Sequence, residues 1–307
     1  MKKIFIDGSA GTTGLRIYER LQERNDITLL TLSGDDRKNP ERRAEMLNNC
    51  DVAFLCLPDE AAKEAVSMIE NEDVVVLDTS TAHRTNPEWT YGFPELIGRE
   101  KIANAKRIAV PGCHASGFIS LVNPLVKNEI ISPKTLLTCH SITGYSGGGK
   151  KMIAQYETEK SDDLLAPRQY GLTQQHKHLR EMKALTGIEN LPIFCPIVSD
   201  FYSGMVVTVP LFASDVLDGK SIIDIVSTYK RTYNGEVVKY VDTIDENGFI
   251  SANILSGKDG MQISALGNEE RILLVARYDN LGKGASGAAI QCLNIVLGVD
   301  ETKGLVL

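Results

Sequence analysis

The first 115 residues alternate short apolar runs with segments of helical periodicity. The apolar runs predict five strands, at KKIFIDG, DITLLTLS, DVAFLCLP, DVVVLDTS and RIAV. Between them, apolar spacing predicts helices over 13–24 and 40–49, and a third from Asp59, its expected N-cap, to Glu70. Nearly continuous apolar strands separated by helices indicate a parallel sheet covered on both faces. This part of the chain therefore predicts an α/β, Rossmann-like domain.

The pattern of apolar positions changes after Cys113. A helix is expected to about Lys127, followed by five strand-like segments, TLLTCHSIT, LPIFCPIVS, SGMVVTVPLF, MQISALG and ERILLVARYD. Only two helices are evident among them, near 179–185 and 219–233, which predicts an α+β domain with a mostly antiparallel sheet. We expect the last apolar helix, KGASGAAIQCLNIVLG, to return to the first domain. The predicted domains are thus 1–115 with 284–307, and 116–283.

Composition and charge exclude several classes of protein. The chain has 307 residues and a formal net charge of −7, which argues against broad nucleic-acid binding. No apolar run reaches the roughly 18 residues of a membrane span, and the apolar run before Asp7 is too short for a signal peptide. We therefore expect a cytoplasmic protein. Six scattered cysteines without a CxxC pair are expected to be free thiols.

The segment GSAGTTG lies directly after the first strand and opens the first helix. Glycines allow a tight turn and close approach of the backbone to a pyrophosphate, and the helix N-terminus favours an anion. We expect a dinucleotide there, held by Gly8, Ser9, Gly11, Thr12, Thr13 and Gly14. The alternative is a tight structural turn that binds nothing.

The end of the second strand bears on the choice of nucleotide. An NAD site usually offers an acidic residue at this position, whereas here Leu32, Ser33 and Gly34 precede a charged run. Ser33 can donate to a phosphate and Arg37 or the neighbouring lysine can balance its charge, which favours NADP. A solvated charged loop is the alternative.

The segment GYSGGGK, residues 144–150, fits the spacing of a phosphate-binding loop of nucleotide hydrolases. The next position should carry a hydroxyl for magnesium, but it is Lys151. This departure argues against a kinase or ATPase. We interpret the segment as a flexible loop lining a cleft, in which Ser141 and its neighbours supply polar contacts.

Cys113 differs from the other cysteines because it lies in AVPGCHASG, after a strand and at the start of a helix. A helix N-terminus stabilises a thiolate, so Cys113 is the candidate nucleophile. A base is offered by QQHKHLRE, in which His176 and His178 alternate in an extended segment and Glu181 follows. Cys113 with both histidines would form a zinc site only with a fourth ligand, which is not evident, so no metal is expected.

Six segments together resemble the second, shorter type of the N-acetyl-gamma-glutamyl-phosphate reductase family, within the aspartate-semialdehyde dehydrogenase superfamily. They are GSAGTTG, DTSTAHR, YGFPEL, VPGCHASG, QQHKHLRE and DNLGKGASGAAIQ, and they extend over the chain from Gly8 to Gln291. The resemblance implies an NADP-binding domain of 1–115 and 284–307, and a substrate, catalytic and dimerisation domain of 116–283.

The resemblance also implies roles for individual residues. Cys113 is the catalytic cysteine, and His176 is preferred over His178 as the catalytic histidine. Arg84 is an anchor for the acyl phosphate or carboxylate, although His83 stands where the longer type has an aromatic residue. Asn280 lies in the stretch near the nicotinamide. The remaining candidate substrate-binding residues are His178, Glu181 and Ser141.

The function implied is NADPH-dependent reduction of N-acetyl-gamma-glutamyl phosphate to the semialdehyde through a Cys113 thioester, in arginine biosynthesis. The partners expected are a small acyl phosphate, inorganic phosphate and further copies of the chain, in a homodimer or homotetramer. One alternative is a reductase of another acyl phosphate, like aspartate-semialdehyde dehydrogenase. An alternative from another class is a non-catalytic nucleotide-sensing protein.

Overall fold

The computed structural model describes the whole chain, Met1–Leu307, which divides into two compact units. The first unit is Met1–Pro111 with Ala285–Leu305, and the second is Gly112–Gly284 with Val306–Leu307. The Cys113 segment therefore lies in the second unit, whereas the sequence placed the boundary after residue 115. The functional roles assigned to the two domains stay predictions.

The first unit contains a six-stranded parallel sheet of order β2-β1-β3-β4-β6-β5. Its strands are β1 (Lys2–Asp7), β2 (Ile27–Leu30), β3 (Val52–Leu55), β4 (Val75–Asp78), β5 (Thr90–Tyr91) and β6 (Arg107–Ala109). The parallel sheet and the five apolar strands are confirmed. The edge strand β5 was not predicted, because a two-residue strand carries no periodicity.

Helices cover the sheet of the first unit. They are α1 (Thr12–Leu21), α2 (Pro40–Asn49), α3 (Asp59–Ser67), α4 (Pro94–Ile97) and α5 (Arg99–Ala103). Asn39 caps α2 by accepting from the amides of Glu41 and Arg42. The prediction that Asp59 caps α3 is wrong, because Pro58 is the N-cap. The Asp59 carboxylate instead accepts from the amide of Thr81 at 2.9 Å and from its hydroxyl.

The second unit combines a seven-stranded mixed sheet with four helices. The sheet order is β11-β12-β13-β10-β7-β9-β8, and four of its six pairings are antiparallel, as expected. The strands are β7 (Thr138–Gly144), β8 (Arg168–Gln169), β9 (Ile193–Ser199), β10 (Met205–Phe212), β11 (Val238–Tyr240), β12 (Met261–Gly267) and β13 (Arg271–Tyr278). The helices are α6 (Cys113–Lys127), α7 (Gly149–Glu157), α8 (His178–Thr186) and α9 (Ile222–Thr232).

Helix α7 contradicts the sequence prediction, which has only two helices after α6 and a flexible loop at the glycine-rich segment. The helix begins at Gly149, whose φ of 72° favours glycine, and buries Tyr156. The preceding Tyr145–Gly148 forms a short 3₁₀ turn. The glycines form the turn that leads into a helix, so a high glycine content did not indicate a flexible loop here.

Helix α6 packs against α8 and on β10 and β13, with most of its side chains buried. The hydroxyls of Tyr229 and Tyr233, on and just after α9, donate to backbone carbonyls of α6. The last helix, α10 (Gly287–Val296), packs in the first unit with β1 residue Ile4 and β3 residue Phe54. None of the helices combines the length and the apolar character that a transmembrane span requires.

Candidate active site

The glycine turn lies between β1 and α1, as the sequence predicted. Gly8 has a φ of +88°, and a side chain there would overlap the carbonyl oxygen of Cys56. A side chain at Gly14 would likewise overlap the carbonyl of Gly8. Gly11 is the N-cap of α1 and has no side chain to cap the helix, so its first amides are left to a ligand or water. A nucleotide pyrophosphate fits this backbone cradle.

Behind this turn, Asp7 ends β1 and is almost fully buried. Burial raises the pKa of Asp7, and the Arg43 guanidinium, 3.0 Å from its carboxylate, opposes that rise. Arg43 comes from α2 and also contacts Glu64 of α3 at 3.2 Å. The ion pair thus ties two helices to the residue before Gly8.

The candidate NADP-selecting residues lie in a short 3₁₀ turn, Gly34–Lys38, after β2. Ser33 occupies the N-cap position of this turn, but its side chain makes no capping hydrogen bond. Arg37 is exposed, and its Nε donates to the carbonyl of Gly34 at 3.4 Å. Arg37 is therefore oriented by one weak local contact.

Arg84 is buried within the first unit. Its Nε donates to the carbonyl of Val110 at 2.9 Å, and its Nη2 donates to the carbonyl of Thr79 at 2.8 Å. The neighbouring His83 places Nδ1 2.7 Å from the carboxylate of Asp78, which is fully buried. The His83 ring stacks on Trp89 with ring centroids 4.0 Å apart. The DTSTAHR segment therefore folds into an ordered polar cluster after β4.

Cys113 begins the fifteen-residue helix α6, whose N-cap Gly112 has no capping side chain. The turn before it is held by Glu181 of α8, whose carboxylate accepts from the amide of Gly112 at 2.8 Å. Tyr278 donates to the carbonyl of Cys113 at 2.6 Å and accepts from the amide of Gly117 at 3.0 Å. A half-buried thiol thus sits at a helix N-terminus whose backbone is fixed by two side chains.

The histidines cluster beside α6. The ring centroid of His114 lies 5.8 Å from that of His176 and 5.7 Å from that of His178, and the latter two are 4.7 Å apart. His176 is half-buried and its Nδ1 accepts from the amide of His178 at 3.2 Å. Burial and the charge of Lys177 lower the pKa of His176. His178 is the first residue of α8 and is buried.

A second set of contacts links His114 to its neighbours. Its Nδ1 is 2.7 Å from Ser141 Oγ on β7, and its Nε2 is 2.6 Å from the hydroxyl of Tyr170. Burial, with a smaller contribution from His176, lowers the pKa of His114 to about 3. Ser141 is fully buried, so it contacts this chain of groups instead of lining an open cleft.

Asn280 and the segment after it complete the site within the second unit. The Asn280 side chain accepts from the amide of Gly204 at 2.9 Å and donates to Ser146 Oγ at 3.0 Å. Lys283 is fully buried, and a side chain at Gly284 would lie 3.1 Å from Cys113 Cβ. This segment therefore passes directly beside the candidate nucleophile.

The sequence did not predict four residues of the candidate site, namely His114, Tyr170, Tyr278 and Lys283. His114 carried a signal, since it is one of five histidines and follows Cys113 directly. The two tyrosines reach the site from distant positions that no local pattern marks. No group of three or more histidine, cysteine, aspartate or glutamate side chains is placed to hold a metal ion.

Comparisons with known proteins agree with this architecture. Residues 3–105 match the family model "Semialdehyde dehydrogenase, NAD binding domain", and residues 113–280 match "Semialdehyde dehydrogenase, dimerisation domain". Among solved structures, aspartate semialdehyde dehydrogenase II of Vibrio cholerae, described as complexed with ASA, has a TM-score of 0.72 at 14% identity, covering 97% of this chain and 98% of that one. The enzyme with NADP from Candida albicans has a TM-score of 0.68 at 14% identity, covering 97% and 98%. These likenesses show the fold: the chain has the architecture of a semialdehyde dehydrogenase with a nicotinamide-nucleotide-binding domain.

Curated relatives narrow the class. The chain is 44% identical to "N-acetyl-gamma-glutamyl-phosphate reductase 2" of Nostoc sp., over 99% of both proteins. It is 43% identical to "N-acetyl-gamma-glutamyl-phosphate reductase" of Brucella ovis, over 96% of this chain and 99% of that protein. The chain therefore belongs to the N-acetyl-gamma-glutamyl-phosphate reductase family, and it is an oxidoreductase.

Proposed function

We propose that this enzyme reduces N-acetyl-gamma-glutamyl phosphate to N-acetylglutamate semialdehyde, with Cys113 as nucleophile and NADPH as reductant. The observation that carries the proposal is the half-buried Cys113 thiol at the N-terminus of α6, beside the cluster of three histidines. A helix N-terminus favours the thiolate, which is the reactive form of cysteine. The names of the curated relatives support the substrate.

Cys113 Sγ attacks the acyl carbon, and the carbon–oxygen bond to the phosphate breaks with its electron pair. This step forms a thioester and releases inorganic phosphate. Tyr278 and Glu181 support the step because they fix the backbone on both sides of the sulfur-bearing residue. The thioester then has to be reduced and released as the aldehyde.

His176 is the proposed acid–base group. It is half-buried, so it exchanges protons with solvent, whereas His178 is buried at the start of α8. A histidine with a lowered pKa is neutral at pH 7, so its ring has a free lone pair that can accept a proton. His178 and Glu181 then line the substrate side of α8, with Glu181 committed to the Gly112 amide.

The nucleotide is proposed to be NADP, which when bound supplies the hydride that reduces the thioester. The cradle of Gly8, Gly11 and Gly14 would hold its pyrophosphate, and Ser33 and Arg37 would contact the 2′-phosphate. Ser9, Thr12, Thr13 and Asn280 are the further proposed nucleotide contacts. Arg84 remains the proposed anchor for an anionic group of the substrate.

We also propose that the protein is a homo-oligomer through the open face of the second sheet. Ile142, Ile193, Phe212 and Leu273 share that face and are between 38 and 66% exposed. A sheet face with such apolar side chains is unusual for an isolated subunit. The family description of this region as a dimerisation domain supports the same association.

The test is a phosphate-dependent assay of NADP⁺ reduction with N-acetylglutamate semialdehyde and, separately, with aspartate semialdehyde. We expect turnover with the first aldehyde, dependence on inorganic phosphate and preference for NADP⁺ over NAD⁺. Preference for aspartate semialdehyde would overturn the substrate assignment. Preference for NAD⁺ would overturn the roles of Ser33 and Arg37.

Cysteine variants test the covalent step. Cys113→Ser should abolish turnover while NADPH still binds, because the nucleotide cradle is untouched. Cys195→Ser is the matched control, since Cys195 is also half-buried but lies on β9, and it should keep turnover. Activity of the Cys113 variant near that of the native enzyme would contradict the thioester.

A further inference from the structure

A continuous chain of three hydrogen-bonded side chains leads from the core of the second unit to Tyr170, whose ring lies 6.2 Å from that of His176. Ser141 Oγ lies 2.7 Å from His114 Nδ1, and His114 Nε2 lies 2.6 Å from the Tyr170 hydroxyl. Ser141 is 0% exposed and His114 is 3% exposed, whereas Tyr170 is half-buried. The chain of groups therefore ends at the only member that a substrate can reach.

The direction of these hydrogen bonds follows from the number of protons available. His114 is neutral at neutral pH because burial lowers its pKa to about 3, so its ring has one N–H and one lone pair. The buried hydroxyl of Ser141 needs an acceptor, and His114 Nδ1 is its only hydrogen-bond partner in the structure. Ser141 must then donate to Nδ1, and the ring proton of His114 is carried by Nε2.

This tautomer determines what Tyr170 can do. The Nε2–H of His114 donates to the Tyr170 oxygen, so the Tyr170 proton is not used in that contact. Burial and the nearby charge of Cys113 raise the pKa of Tyr170, which keeps the phenol protonated. Tyr170 is therefore a hydrogen-bond donor whose ring lies 6.2 Å from that of His176 and whose oxygen is oriented by a neutral imidazole.

We propose that Tyr170 donates a hydrogen bond to the substrate oxygen that becomes negative when Cys113 attacks, and that His114 and Ser141 are positioning residues that fix its donor direction. The inference rests on the proposed function. As the sulfur–carbon bond forms, the carbonyl pair moves to oxygen and is stabilised by the Tyr170 O–H. As the bond to phosphate breaks, that pair returns to the carbonyl, and Tyr170 keeps its proton throughout.

Two other hydrogen-bond donors beside Cys113, the amide of Gly112 and the hydroxyl of Tyr278, are already used within the protein. The amide of Gly112 is taken by Glu181, so it is not available to an oxyanion. Tyr278, the other hydroxyl beside Cys113, is committed to the carbonyl of Cys113 and the amide of Gly117. Tyr170 is the hydroxyl whose proton the native contacts leave available.

The first experiment compares Tyr170→Phe with Tyr240→Phe, a matched change on β11. Removal of a hydrogen-bond donor to an oxyanion costs about 10²–10³ in kcat, so Tyr170→Phe should lose about that factor with little change in KM. The rate at which iodoacetamide alkylates Cys113 should stay near native, because the donor acts on the substrate oxygen. A kcat near native, or a loss confined to KM, would overturn the role of Tyr170.

The second experiment observes the tautomer in the native protein, independently of any substrate. Nitrogen-15 NMR of the five histidines, with His114 assigned from a His114→Gln spectrum, should show Nε2 protonated and Nδ1 bare at pH 7. A proton on Nδ1 would overturn the inference even if the enzyme is active. Conversely, a native enzyme that does not act on the acyl phosphate would refute the proposed function and leave this measurement intact.

Two variants of His114 distinguish a role in orienting the Tyr170 hydroxyl from a role in packing. His114→Gln places an amide N–H near the position of Nε2 and can still donate to Tyr170, whereas His114→Leu fills the space without a donor. We expect His114→Gln to keep a clearly higher kcat than His114→Leu at similar KM. Equal losses in both variants would show that His114 acts by packing alone.

Discussion

The buried imidazole of His114 makes the stability of this protein depend on pH in a defined range. Its pKa is lowered from 6.5 to about 3, chiefly by burial. In the unfolded chain the same ring takes up a proton near pH 6.5, so below that pH the unfolded state binds more protons than the native one. The stabilisation is therefore complete above pH 6.5 and is lost progressively as the pH falls towards 3.

The magnitude follows from this difference in pKa. Each pH unit between the two values costs up to about 1.4 kcal/mol of unfolding free energy. Between pH 6 and pH 4, His114 alone should remove about 2.5 kcal/mol. Because its side chain is 3% exposed, solvent screening reduces this figure little.

The assay is urea unfolding of the native protein and of His114→Gln, followed by circular dichroism at one protein concentration. The variant loses the hydrogen bonds of the ring at every pH, but it has no ring to protonate. The difference in stability between the two proteins should be constant above pH 7 and should shrink by about 2.5 kcal/mol between pH 6 and pH 4. Parallel curves over that interval would refute the assignment of a neutral, buried His114.

Further changes test the turns that support the site. Gly8→Ala should lower the free energy of unfolding in urea by at least about 1–2 kcal/mol, because φ at Gly8 is +88°, and it should abolish NADPH binding measured by fluorescence. Gly11→Ala is the control and should fold normally, because φ at Gly11 is −73°. Arg43→Met leaves the Asp7 carboxylate buried without its partner and should cost about 3–5 kcal/mol, most of which Asp7→Asn should restore in the double variant. Glu181→Gln keeps an oxygen acceptor and should melt near the native temperature, whereas Glu181→Ala should cost about 1–3 kcal/mol; equal melting of both would contradict its bond to the Gly112 amide.

The sequence predicted the elements whose signals are local. Strand β3 follows directly from continuous apolar residues, and helix α2 follows from Pro40 at a helix start. The start of α6 at Cys113 was also predicted, because Pro111 and Gly112 interrupt regular structure there. In each case a few neighbouring residues determine the conformation.

The features that the sequence did not predict depend on contacts between distant residues. Nothing near Tyr170 indicates that it lies beside His114, because β8 is two residues long and its position is set by pairing with β9. Asp59 is a residue type that is common at N-caps. Its carboxylate instead accepts hydrogen bonds from the amide and the hydroxyl of Thr81, so it does not cap α3. Competition between alternative partners is decided by the tertiary structure and cannot be seen in a local pattern.

The charges around Cys113 show how a thiolate can be stabilised in this site without a permanent histidine cation. Burial keeps His114 neutral over the physiological range, and the pKa of His176 is lowered as well. The N-terminus of α6 supplies a positive potential that does not depend on pH. At the same end of the helix, the Glu181 carboxylate accepts a hydrogen bond from the Gly112 amide. A neutral His176 is then available to accept a proton beside the proposed nucleophile. The proposed nucleophile and the proposed base thus depend on two separate parts of the second unit, the N-terminus of α6 and the cluster of buried rings.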